Sequence, residues 1–354
     1  MSESPRPHPP AWQRLLNTSL SRRSLLLSTT SAVASALGCD IVNKLRAPKQ
    51  AKKAPVFIAR NQRYDGPLEQ TIRDGLLASG LDPARLKGKK VLLKPNMVEP
   101  TRLSPQMTTH PAVVLATAEV FRKWDCTVSV GEAPGHVRDT EMALSESRLG
   151  DALDSAKLPF ADLNYEEVGW RDNKLKVSPL PGLFFPRSVL EADLVVSMPK
   201  LKTHHWVGIT ASLKNMYGTL PGIKYGWPKN VLHHAGIPQT VIDINGALPP
   251  TVAVVDGITC MEGDGPILGS AKEMGIIGVG ANLTALDATL ARIMGLVPQR
   301  ISYLILAEQK LGPLSDRLIQ QRGERWQELV SPFQVMDREA LKFLQMRDRG
   351  ELES

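Results

Sequence analysis

The chain has 354 residues, 42% hydrophobic and 22% charged, which suits one large α/β unit or two joined lobes and excludes wholesale disorder. A formal charge of +7 would suggest a nucleic-acid partner if it were spread over the folded part. Nine lysines and arginines against Glu3 and Asp40 in the first 55 residues account for the whole excess, so the case for nucleic acid lapses.

Residues 1–39 read as an address. Arg22-Arg23 stands directly before an apolar run, Leu25 to Leu37, and the one acid before Asp40 is Glu3. That run is short for a membrane span but has the length of the apolar part of a signal peptide. The pattern resembles a twin-arginine signal, which implies the Tat translocase as export partner and a periplasmic or otherwise extracytoplasmic location. Two processing routes stay open. Ala34-Ser35-Ala36 suits ordinary cleavage, whereas Ala36-Leu37-Gly38-Cys39 resembles a lipobox in which a lipidated Cys39 attaches the protein to the membrane. Residues 40–55 form a basic linker that would serve as a tether. Cys126 and Cys260 are isolated, with no C-x-x-C, which argues against a zinc knuckle and a ferredoxin-type cluster.

From Val56 to residue 311, short apolar runs alternate with amphipathic stretches, the pattern of βαβ units. The predicted fold is α/β, a mainly parallel sheet with helices on both faces. The clearest strands are Val91-Leu92-Leu93, Thr127–Val130, Leu194–Met198, Val252–Val255 and Ile276–Val279. Between the first two, Pro111 to Trp124 carries apolar residues at helical spacing behind a proline suited to a helix start. Ala285 to Met294 repeats the pattern, with Asn282 or Thr284 as its cap. Gly218 to Pro238, rich in Gly, Pro and His, reads as a long loop, and residues 312–354 as a charged helical C-terminal cap.

The chemistry is predicted where the strands end. Lys94-Pro95-Asn96 follows the first strand and Glu132 the second. Lys200, Lys202 and His204 follow the third, and Asp256, then Glu262 and Asp264, the fourth. Ligands of open parallel sheets bind outside the carboxyl ends of the strands, because several loops converge there. Lys94, Lys200, Lys202 and Lys214 can form a cationic cradle for a carboxylate or phosphate, with Asn96, His110, Glu132 and Asn215 beside it as further ligand-binding residues. Lys200, His204 and Asp256 are the predicted catalytic groups. Asp256, Glu262 and Asp264 are hard oxygen donors for a divalent metal, or else partners of the lysines. In His204-His205 and His233-His234, neighbouring side chains of an extended strand point to opposite faces, so at most one of each pair should face the site. Gly278-Val279-Gly280 lacks the third glycine of a dinucleotide turn.

Six motifs in order resemble one family. Val91 to Val98, Thr108-Thr109-His110-Pro111 and Gly131 to Gly135 resemble its opening. Pro199-Lys200-Leu201-Lys202-Thr203-His204, Leu213 to Gly218, and Val255-Asp256-Gly257 through Glu262-Gly263-Asp264-Gly265-Pro266 resemble the rest. The family is domain of unknown function 362, and the resemblance covers roughly residues 56–300. It implies an α/β fold and, in some members, an appended iron–sulfur segment; this chain has no cysteine cluster, so no built-in cluster is carried over. The expectation is an exported enzyme, metal- or cofactor-assisted, acting on a small anionic substrate. A carrier without turnover, or an assembly factor for another exported protein, are the alternatives.

Overall fold

The computed structural model describes residues 53–136 and 138–353, and the residues from Lys53 onward cluster as one compact unit. The arginine pair, Cys39 and nearly all of the linker lie outside the described residues.

Twelve strands are formed among the described residues. The first six are β1 (Ala54–Ala59), β2 (Lys90–Pro95), β3 (Thr127–Glu132), β4 (Phe160–Asp162), β5 (Val168–Asp172) and β6 (Gly182–Pro186). They are followed by β7 (Leu194–Met198), β8 (Lys200–His204), β9 (Gly208–Thr210), β10 (Thr251–Glu262), β11 (Ser270–Gly280) and β12 (Ile319–Gly323). The main sheet has the order β12-β1-β11-β10-β7-β2-β3-β4, with β8 and β9 branching from β10, while β5 and β6 pair apart from it. The pairings from β10 through β7, β2 and β3 to β4 are all parallel. Only β11, antiparallel to both β1 and β10, and β9 run against the trend.

Both faces are covered, as alternation along the strands requires. Val91, Leu93, Val196, Val254 and Val279 pack into one apolar cluster with Ile72 and Leu76 of the helix Leu68–Ala78 and Val113 and Phe121 of the helix Pro111–Lys123. Their neighbours Leu92, Val195, Ala253, Val255 and Ile276 face a second cluster with Val241, Ile244, Leu286 and Leu290. Fully burying one such side chain contributes about 1.5–3 kcal/mol. Pro111 opens its helix, and His110 caps it by accepting from the Ala112 N–H at 3.1 Å. Of the two candidate caps for Leu283–Ile293, Asn282 takes the role, accepting from the Ala285 N–H at 2.9 Å.

Three features adjust the sequence reading. Residues 218–238 fold back through two short helices, Gly222–Tyr225 and Asn230–His234. The C-terminal segment supplies short helices at Trp326–Leu329 and Glu339–Lys342, and in addition β12, which pairs in parallel with β1. Lys200, Lys202 and Asp256 lie within strands, because β8 continues the chain beyond Met198 and β10 runs twelve residues to Glu262. Among the described residues no helix is long and apolar enough to cross a membrane.

From β2 the chain moves outward to β3 and β4, then returns to the other side of β2 to form β7 and β10. The order reverses between β2 and β7, where Lys94 lies opposite Ser197. At such a switch point the connecting loops part and leave a crevice.

Candidate functional site

A cavity of about 110 Å³ opens there, and Lys94, Asn96, Glu132, His204, Lys214 and His233 are among the residues lining it. Lys94 comes from β2 and Glu132 from the last position of β3. Lys214 and Asn215 come from the short helix Ser212–Asn215, whose first backbone N–H groups are pinned by Asp287. The Asp287 carboxylate accepts from Ser212 N at 2.8 Å and Leu213 N at 3.0 Å, and burial pushes it up to about 7.

The floor of the cavity is an ion pair between Lys94 and Glu132, both buried. Lys94 also donates to Asn215 Oδ1 at 2.9 Å and to the Pro95 carbonyl at 2.8 Å. Burial pushes Glu132 up to about 7, against the attraction of Lys94, and the same burial lowers Lys94. Gly218 packs directly on this pair: a Cβ built there would collide with Glu132 Oε1 and Lys94 Nζ.

Lys94, Lys202 and Lys229 act on this one carboxylate and are engaged, while Lys214 lines the same cavity. Lys202 donates to the carbonyls of Met107 at 2.7 Å and Pro266 at 3.2 Å. Lys229 donates to the carbonyls of Ala133 at 2.9 Å and Tyr217 at 3.0 Å. Lys214 differs. Among the described residues its ammonium has no ion-pair or hydrogen-bond partner and stands 4.0 Å from the centre of the Tyr217 ring. Burial, and then repulsion from Lys94, bring Lys214 down to about 7. Asn96 adds a second unmet group: its side chain is buried and its Oδ1 accepts no hydrogen bond.

The imidazoles of His204 and His233 stay neutral at pH 7. Burial takes His204 well below the ordinary histidine range and His233 to about 4, with the Lys214 charge acting in the same direction on both. One expectation is corrected here. His204 and His205 both border the cavity, because β8 ends at His204 and the chain turns immediately, removing the strict alternation. His205 Nδ1 lies 3.4 Å from Asp264.

Lys200, Asp256 and His110 form a separate buried cluster away from the cavity lining. Lys200 Nζ donates to Asp256 Oδ2 at 2.6 Å and to the Tyr64 hydroxyl at 2.9 Å. The Asp256 carboxylate also accepts from Tyr64 at 3.1 Å, from His110 N at 2.9 Å and from Ile258 N at 3.3 Å. The Tyr64 and His110 rings stack at 3.8 Å. These bonds join β8, β10 and two loops, and they place Lys200 and Asp256 outside the lining of the cavity that holds Lys94 and His204.

The acidic residues are each paired. Asp256 is committed to Lys200, Glu262 to Lys272 at 3.3 Å and Gln334 N at 3.0 Å, and Asp264 to His205. Among the described residues no three His, Cys, Asp or Glu side chains gather as a metal would need. Of the residues singled out in the sequence, Lys94, Asn96, Glu132, His204, Lys214 and Asn215 line the cavity, while Lys202 braces it from behind. Sequence reasoning missed Tyr64, Lys229 and Asp287, which carry no motif of their own, and it gave Tyr217 no role although Tyr217 lies in the Leu213–Gly218 motif.

A thylakoid-associated protein of Synechocystis sp. is 28% identical over 263 residues, 73% of this chain and 79% of that protein. The lactate racemase apoprotein from Thermoanaerobacterium thermosaccharolyticum aligns at 15% identity with a TM-score of 0.41, covering 70% of this chain and 58% of that one. The family model described as Domain of unknown function (DUF362) matches residues 91–292, more than half the chain, so this protein belongs to the DUF362 family.

Proposed function

We propose that this is an exported protein whose α/β domain binds a small anion in the cavity between β2 and β7 and acts on it as an enzyme. The carrying observation is Lys214, a half-buried ammonium with no ion-pair or hydrogen-bond partner among the described residues, beside a cavity where lysines outnumber carboxylates. An anion entering there supplies the missing charge partner, and a charge-assisted hydrogen bond in such a place contributes about 1.5–3 kcal/mol. The orphaned Asn96 Oδ1 favours an anion that also carries a hydrogen-bond donor, such as a hydroxyl. Turnover, rather than carriage alone, is favoured by His204 and His233, two neutral imidazoles at the cavity wall that can hydrogen-bond a bound ligand. Export rests on Arg22-Arg23 and the apolar run behind them, and a thylakoid-associated relative is in keeping with it.

Calorimetric titration with malonate, glycolate and orthophosphate tests the reading. At least one should bind, and Lys214→Met should weaken it roughly ten- to a hundredfold. Equal affinity in both proteins, or no binding by any of the three, would contradict it.

A further inference from the structure

The lysines of the cavity have unequal chemical fates. A lysine that donates to carboxylate or carbonyl oxygens has its nitrogen directed at them, as Lys94, Lys202 and Lys229 do. Lys214 donates to none among the described residues, lines the cavity and is steadied by the Tyr217 ring at 4.0 Å. The same wall holds His204 and His233, and the buried Asn96 Oδ1 that has no donor of its own.

We propose that Lys214 is an amine nucleophile that forms an imine with the carbonyl carbon of a small 2-oxo acid held in this cavity. The inference rests on the anion-binding reading, because the acid's carboxylate is what the surplus of lysines would hold. The Nζ lone pair attacks the carbonyl carbon, a C–N bond forms as the C=O π bond breaks, and the oxygen takes up a proton from solvent. The nitrogen then releases a proton to a neutral imidazole. That proton returns to the carbinolamine hydroxyl, which leaves as water. The sum is amine plus carbonyl plus one proton giving iminium plus water, with no oxidant or reductant required. Asn96 Oδ1 can accept from the carbinolamine hydroxyl or from the iminium N–H, which supplies its missing donor. The iminium restores a cation above the Tyr217 face, where it is attracted to the ring.

The amine is ready at neutral pH. With Lys214 brought to about 7 by burial and by Lys94, about half of it is unprotonated at pH 7. An ordinary lysine near 10.4 keeps only about one molecule in 2,500 in that form. Lowering a lysine by desolvation beside another cation is a known route to amine nucleophiles.

The test is reductive trapping on the intact, unmutated protein. Pyruvate and glyoxylate are added in turn near pH 7 with sodium cyanoborohydride, and the modified residue is mapped by peptide mass spectrometry. The expected result is one reduced adduct, on the peptide carrying Lys214, suppressed by malonate and absent from Lys214→Arg. Adducts scattered over exposed lysines, with Lys214 unmodified, would overturn the proposal, as would no adduct at all. If malonate binds by calorimetry while Lys214 stays unmodified, the imine fails and the anion site stands. If neither occurs, both fail.

Discussion

Lys200 Nζ lies 2.6 Å from Asp256 Oδ2, with both side chains closed off from solvent and the carboxylate also held by Tyr64 and two backbone N–H groups. Burial alone would lower Lys200, but the Asp256 carboxylate and Tyr64 more than offset it, so its value is raised. Removing one member of such a pair strands the other charge in the interior, at a cost of about 3–5 kcal/mol. Asp256→Asn should therefore lower the urea midpoint markedly. A midpoint equal to that of the parent would mean the pair contributes nothing to the framework.

Gly218→Ala probes how closely the backbone presses on the Lys94–Glu132 pair. The added methyl has no space unless the pair or the Met216–Thr219 turn shifts, an overpacking cost of about 1–3 kcal/mol. Malonate affinity should fall together with thermal stability, because the same two side chains form the cavity floor. Parental stability and affinity in this variant would show that the turn is not in contact with the pair.

The cavity lysines set a pH dependence. Lys214 and Lys229 stand at about 7 in the folded protein, below the value of about 10.4 for an unfolded chain. Between those two pH values the unfolded chain binds more protons, so stability rises with pH. Each lysine contributes at most about 1.4 kcal/mol per pH unit. The urea midpoint should climb from about pH 7.5 to 9.5, and Lys214→Met should reduce the slope without abolishing it, since Lys202 and Lys229 remain. A midpoint that falls over this range would reverse the assignment.

Much of the fold could be read from residue pattern, and less of the site. Apolar runs such as Val91–Leu93 and Leu194–Met198, buried on both faces, declare parallel strands by composition alone. Lys94, Glu132 and His204 were found because they close such strands. Lys200 and Asp256 take a place that the pattern does not announce. A charged residue ordinarily ends an apolar run, yet here they face each other across β8 and β10 and neutralise one another inside the sheet. No spacing rule reports a partner 56 residues away. Asp287 was hidden likewise: it sits in an apolar helix, and its role exists only once Ser212 N and Leu213 N arrive from another element.

The export proposal makes a separate prediction from the leader. Replacing Arg22 and Arg23 together with lysine keeps the charge and removes the pair that the translocase reads. Precursor should accumulate in the cytoplasm, as fractionation and immunoblotting would show. Normal amounts of mature protein outside the cytoplasm would end the twin-arginine assignment. In the same fractionation, Cys39→Ala separates the two processing routes: it releases the protein from the membrane only if Cys39 carries lipid.

The most direct test of the anion site is proton uptake on binding. Near pH 8 most Lys214 is uncharged, and an anion placed beside it should draw a proton from solvent. Malonate, which has no reactive carbonyl, is titrated into the protein in Tris and in HEPES, whose different ionisation heats report the protons exchanged. The account predicts uptake of about half a proton or more per site, lost in Lys214→Met. Binding with no proton uptake, or the same uptake in Lys214→Met, would contradict it.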